Sequence, residues 1–177
     1  MSLKSIFRRS QSRDAAQNVY ALVLGRSREP HFYRDLGVPD TVDGRFEMLV
    51  VHAFLVLRRL RRDPDAADFA QTLFDEMFDD MDLTLREMGA GDMGVGKRVK
   101  AMVQAFYGRI AAYEAGLNAV DDAALREALM RNLYRTAGPN EDQVAGMAAY
   151  IRDEDSRLTG IATDCITAAE FAFGDRT

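Results

Sequence analysis

The sequence predicts an all-α fold, a single compact domain of six or seven helices. Three observations carry this. Apolar residues recur at spacings of three and four along most of the chain. No segment sustains the period-two alternation and β-branched enrichment of a strand. Gly, Pro, Asp and Asn fall between the periodic segments, where helices need starts and stops. The 177 residues amount to about one domain, long enough to bury a core without disulfides or a metal. Residues 1–12 are expected to form a basic tail and 13–177 the helical domain.

The first helix is expected over Asp14–Leu24, capped by Ser12 and stopped by Gly25. Pro30 opens a short turn through His31, Phe32 and Tyr33 that ends at Gly37. Thr41 is placed to cap a helix running to Arg62. Its stretch Met48–Leu57 is the most apolar run in the chain. Those ten residues are too few for a membrane span, which needs about 20, and suit a buried core helix. Arg58, Arg59, Arg61 and Arg62 fall in its last turn, where cations complement the helix dipole. A helix from Pro64 to Met88 follows, with Phe69, Leu73, Met77, Met81, Leu85 and Met88 on one stripe widened by Phe74 and Phe78. The next, from Asp92, carries Val99, Met102, Val103, Phe106, Ile110, Tyr113 and Leu117 on one face. Asp121 or Asp122 caps a helix to Arg135, Asn140 caps another to Leu158, and a last helix spans Thr163–Phe173.

Composition excludes several function classes. An apolar share of 47% is incompatible with disorder. A net charge of −5 argues against general nucleic-acid binding, and no nucleic-acid sequence is implied as a partner. One cysteine, Cys165, forbids an intramolecular disulfide and a multi-Cys zinc site, which suits a reducing compartment. The N-terminus lacks the apolar stretch and cleavage site of a secretory signal.

Candidate motifs fail on their chemistry. Gly91 to Lys97 satisfies GxxxxGK, but a helix precedes it and Arg98 stands where a P-loop needs a hydroxyl for Mg²⁺. Asp75, Asp79 and Asp82 share a helix face, with Glu76 and Asp80 beside it. No Glu-x-x-His accompanies them, and the ligand order of an EF-hand is absent. His31 and His52 sit among apolar residues and read as packing histidines. Cys165 has no basic neighbour in sequence to activate it. No catalytic residue, metal site or cofactor is expected.

Charge is segregated instead. Residues 1–13 hold Lys4, Arg8, Arg9 and Arg13 without an acid, and residues 63–92 hold ten acids against Arg86 alone. Residues 93–113 then carry Lys97, Arg98, Lys100 and Arg109 without an acid. Cations in the first turns of a helix oppose its dipole, so Lys97, Arg98 and Lys100 should face the acidic helix, an external anion or an acidic partner. Lys4, Phe7, Arg8 and Arg9 form a short basic amphipathic segment suited to peripheral membrane contact. Met77, Met81, Met88, Met93 and Met102 serve either as core or as adaptable apolar contacts.

The stretches HFYRDLGVPDTVDGRFEMLVVHAFLVLRRL (31–60) and FDDMDLTLREMGAGDMGVGKRVKAMVQAFYGR (78–109) closely resemble the ubiquinol–cytochrome c chaperone family. The resemblance covers roughly residues 20–135, and nothing as distinctive follows Tyr134. It implies a non-enzymatic assembly factor for respiratory complex III that binds newly made cytochrome b. It also implies, from the mitochondrial relatives, a small partner protein and the ribosome. The short N-terminus points to a bacterial member working in the cytoplasm, peripheral on the inner face of the cytoplasmic membrane. The opposed charges and the strongest resemblance coincide in 78–109. The partner-binding residues expected there are Asp79, Asp80, Asp82, Arg86, Lys97, Lys100, Tyr107 and Arg109. A helical protein holding a quinone or haem-like ligand, and a general ribosome-associated scaffold, are the alternatives.

Overall fold

The most apolar run of the sequence is the most buried part of the fold. In the computed structural model, which describes residues 3–87 and 92–174 and side chains within 10–84, 86–87 and 95–174, every residue from Met48 to Leu57 is buried. They form the middle of α3 (Val42–Leu60), whose cap is the expected one: Thr41 Oγ1 accepts from the Gly44 amide at 3.1 Å. Gly44 is required at that start, because a Cβ there would lie 1.9 Å from the Pro39 carbonyl oxygen. A helix apolar all round must be covered all round. Here α1 (Leu3–Ser27), α4 (Ala67–Glu87), α5 (Asp92–Asn118) and α7 (Glu141–Thr159) do so.

The remaining elements are α2 (Pro30–Arg34), α6 (Ala123–Arg131), α8 (Thr163–Thr167) and a 3-10 turn, Pro64–Ala66. Among the described residues there are six helices of nine residues or more, two of five, and no strand. They pack as one domain around a continuous apolar core. Helix α6 seats tightly on α5, where a Cβ on Gly116 would come 2.7 Å from the Leu125 Cα. Helix α7 opens with a full capping box, Asn140 and Gln143 each bonding the other's backbone amide.

Helices α1, α4, α6 and α8 depart from the expected boundaries. Helix α1 begins at Leu3, not Asp14, so Ser12 lies inside it, and it passes Gly25 to end at Ser27. The basic segment simply continues the helical backbone; Gly25 lowers propensity without forcing a stop. The helix expected from Pro64 starts as a 3-10 turn, with Asp63 accepting from the Asp65 amide at 3.1 Å. Helix α6 ends at Arg131, short of Arg135. Helix α8 stops at Thr167, because the chain turns through Ala169 (φ 59°) and carries Phe173 down into the core.

Candidate functional site

Helices α4 and α5 pack through aromatic rings. Phe74 lies 4.7 Å from Phe78 and 5.5 Å from Phe106, and Phe78 meets Phe106 edge-on at 5.7 Å. Phe106 is fully buried, while the adjacent Tyr107 is 56% exposed with its ring 5.7 Å from Phe74. Leu83 on α4 is equally exposed. Met77 and Met81 are buried and Met102 is half-buried, so these fill or edge the core; Met88 and the side chain of Met93 lie outside the described residues.

Glu76, Asp79 and Asp80 of α4 find partners on α1, and among the described residues no α4 acid pairs with α5. Arg13 pairs with Glu76 and, at 3.1 Å, with Asp79. Gln17 donates to Glu76 at 2.9 Å, and the Tyr20 hydroxyl donates to Asp80 at 2.7 Å. Asp82 is held by Arg86 one turn on. The reason is geometric: the aromatic stripe of α4 points at α5, which rotates the acids toward α1 and solvent. Lys97, Arg98 and Lys100 are exposed and have no carboxylate partner among the described residues. They are the cations left over at the start of α5.

Arg109 is different. Its guanidinium spans both carboxylate oxygens of Glu47 on α3 and lies over the Phe46 ring at 5.8 Å. Glu47 is 5% exposed. Burial pushes its carboxyl upward, opposed by the hydrogen bonds from Arg109. Sequence spacing placed Arg109 with the exposed cations; the fold engages it as an internal tie between α3 and α5. The side chains of Lys4, Phe7, Arg8 and Arg9 lie outside the described residues, as do those of Gly91 to Gly94, the front of the GxxxxGK stretch.

Other polar groups that looked free in sequence are also used internally. Arg58 reaches Asp155 at 2.9 Å, Asn118 at 2.9 Å, and Glu114. Arg59 donates to the carbonyls of Leu158 and Ile161, closing the C-terminus of α7. Thus the RRLRR run ties the end of α3 to α5 and α7. A periodicity argument finds the helix end but not these contacts, which join residues 56 to 102 apart in sequence. Arg58, Arg61, Arg62, Glu114 and Asn118 line an open cleft of about 270 Å³. An apolar cavity between α1, α3 and α4, lined by Tyr20, Val23, Ala53, Leu57, Leu73, Phe74 and Met77, measures about 10 Å³. That is room for a single water at most.

His52 is a packing histidine, as its apolar neighbours implied. It is fully buried, its Nδ1 2.8 Å from the Met48 carbonyl and its Nε2 2.8 Å from the Tyr150 hydroxyl. One tautomer satisfies both: Nδ1–H donates to Met48 and Nε2 accepts from Tyr150. Desolvation lowers its pKa to about 4, so it stays neutral near pH 7. His31 lies near Asp35 (3.7 Å) and against Phe32 (4.9 Å). Among the described residues no three His, Cys, Asp or Glu side chains gather as metal ligands.

The fold defines the class first. A crystal structure of the Cbp3 homolog from Brucella abortus superposes with a TM-score of 0.84 at 36% identity, covering 99% of this chain and 97% of that one. The sequence model of the ubiquinol-cytochrome C chaperone family matches residues 34–173. The chain belongs to that family. Its match continues well past Tyr134, so the C-terminal part, undistinctive by eye, is family sequence as well. A Xenopus laevis protein named ubiquinol-cytochrome-c reductase complex assembly factor 1 is 23% identical over 141 residues, 79% of this chain and 70% of that protein. The Saccharomyces cerevisiae mitochondrial protein CBP3 is 32% identical over 108 residues, 59% of this chain. The chain spans about a third of the yeast protein's length (32%) and about half of the mouse assembly factor's (48%).

Proposed function

We propose that this chain is a non-enzymatic assembly factor for ubiquinol–cytochrome c reductase and that its client is the cytochrome b subunit. The observation that carries this is the likeness to a Cbp3 homolog over nearly the whole chain, at an identity well above the level where only fold is shared. Relatives named as assembly factors of that reductase supply the process. A role of this kind asks for surface, not a reaction centre, and α4–α5 supplies it. The client contacts fall on Lys97, Lys100 and Tyr107, with Leu83 and the Asp82–Arg86 pair beside them. Asp79 and Asp80 contribute only where their bonds to α1 leave them accessible, and Arg109 is left out because Glu47 occupies it.

No described helix is long and apolar enough to cross a membrane. The client's own membrane location places the work at the inner face of the cytoplasmic membrane, with peripheral contact through the basic N-terminal segment. A small partner protein and the ribosome complete the partner set by analogy with the mitochondrial relatives. A quinone or haem-like ligand fits neither the 10 Å³ apolar cavity nor the charged cleft at the RRLRR run. The test is a chromosomal deletion followed by reduced-minus-oxidised spectra of membranes. The b-type signal of the reductase should fall and return with the wild-type gene. Full assembly of the reductase in the deletion strain overturns the proposal.

A further inference from the structure

The C-terminal segment after α8 is held like a bound peptide. From Ala168 to Gly174 it has no helix of its own, and it leaves through Ala169, whose positive φ is uncommon for a residue with a Cβ. Phe173 then drops into an aromatic slot and stands edge-on to His52 at 5.2 Å, 8% exposed. Both backbone groups of the next residue are read by buried charges. Arg26 Nη2 donates to the Gly174 carbonyl at 2.5 Å, and the Gly174 amide donates to Glu154 Oε1 at 2.7 Å. Arg26 and Glu154 are 7% and 3% exposed.

The groups that line the slot are bonded to one another as well as to the segment. Arg26 lies over the rings of Phe32 and Tyr150 at 5.5 and 5.4 Å and donates Nε to the Tyr150 hydroxyl at 3.1 Å. Tyr150 donates onward to His52, and His52 to Met48. Glu154 is fixed from its other oxygen by Arg157 at 2.9 and 3.1 Å. Every receptor group therefore keeps a partner within α1, α3 and α7 when the segment is removed. A Cβ on Gly174 would lie 2.8 Å from Glu154 Oε1, an atom that Arg157 prevents from yielding freely.

We propose that the α1–α3–α7 slot is a peptide-binding site whose resident ligand is the chain's own Phe173–Gly174, and that it accepts an extended Phe-Gly segment of a partner protein when the resident one leaves. Affinity comes from the aromatic ring and one doubly clamped peptide unit, and specificity from the ring followed by a residue without a side chain. This inference stands independently of the cytochrome b reading, since it uses a different face.

The test uses the full-length chain carrying Phe173→Ala, with wild type beside it. The probe is a fluorescein-labelled, end-blocked peptide of sequence Glu-Phe-Ala-Phe-Gly, read by anisotropy. The variant should bind at least tenfold more tightly than wild type, whose own segment competes. Replacing the peptide's second Phe by Ala, or its Gly by Val, should weaken binding at least tenfold. Absence of saturable binding to the variant, equal binding to both chains, or indifference to the peptide changes overturns the proposal. So does loss of helical circular dichroism in the variant, because the slot would then depend on its occupant. Hydrogen exchange of the wild type gives a second reading. The Gly174 amide should exchange at least a hundredfold faster than amides in the middle of α7, and equal protection overturns the proposal.

Discussion

Helices α3 and α5 look alike as sequence and differ as structure. Each is long, and each carries a broad apolar stripe. In α3 no residue from Met48 to Leu57 reaches solvent appreciably. In α5 the second half buries Phe106, Ile110 and Tyr113, but from Gly96 to Ala105 no residue is fully buried. The difference lies in their neighbours. Four helices surround α3, whereas α6 adds its cover to α4 along α5 only where Gly116 permits close approach. An amphipathic stripe states that a face wants covering; it does not state that the fold covers it.

Large-to-small substitution breaks the comparison most forcefully. Phe54→Ala in α3 should cost about 3–5 kcal/mol in urea unfolding, the range for removing a buried aromatic ring. Met102→Ala in α5 should cost less than about 1 kcal/mol, since its side chain already meets solvent. Similar losses at both sites would mean that α5 is covered in solution. The link between the two helices comes next. Arg109→Ala should cost about 3 kcal/mol because it strands the Glu47 charge inside, and Glu47→Met with Arg109→Leu together should recover most of it. A cheap Arg109→Ala would place that pair in water.

How far the sequence revealed each region follows the same division. The buried run of α3, its Thr41 cap and the Asn140 start of α7 were legible because each depends on residues within a turn of one another. The pairing of α4 acids with Arg13, Gln17 and Tyr20 was not, since spacing ranks faces without saying which neighbour each meets. Arg109 shows the same gap within the candidate surface. It stands two residues from exposed Tyr107, yet its partner sits 62 residues earlier on α3. The exit of Phe173 from the last helix was equally hidden, because a Phe at that position suits helical periodicity and an aromatic slot alike.

Buried His52 sharpens the contrast through pH. Its folded pKa, about 4, lies below its ordinary 6.5, so the unfolded chain binds the proton more readily. The stability it contributes is complete above about pH 6.5 and is lost as pH falls toward 4. At about 1.4 kcal/mol per unit, the loss amounts to roughly 3 kcal/mol. Glu47 works in the opposite sense, because burial raises its carboxyl. The difference between wild type and His52→Gln isolates the histidine: the variant starts less stable but should lose less on acidification between pH 6.5 and 4. Parallel pH profiles would show that His52 is not held neutral by the fold.

The smallest effect on stability should accompany a large effect on function. Lys97 and Lys100 are exposed, without carboxylate partners among the described residues, and sit in the second and third turns of α5, beyond the first turn where the helix dipole acts. Reversing both to Glu alters exposed side chains only, so folding stability should change by less than about 0.5 kcal/mol. If these lysines serve the client, the same variant should fail to restore the b-type spectrum in a deletion strain while its circular dichroism and solubility stay normal. A purely structural pair would behave the other way, with stability moving and assembly intact. Tyr107→Ala provides the apolar counterpart, since its ring is largely exposed and the Phe74–Phe78–Phe106 packing does not depend on it. A fully restored spectrum in both variants would move the client surface away from α5 and leave the exposed face of its first half without a role in assembly.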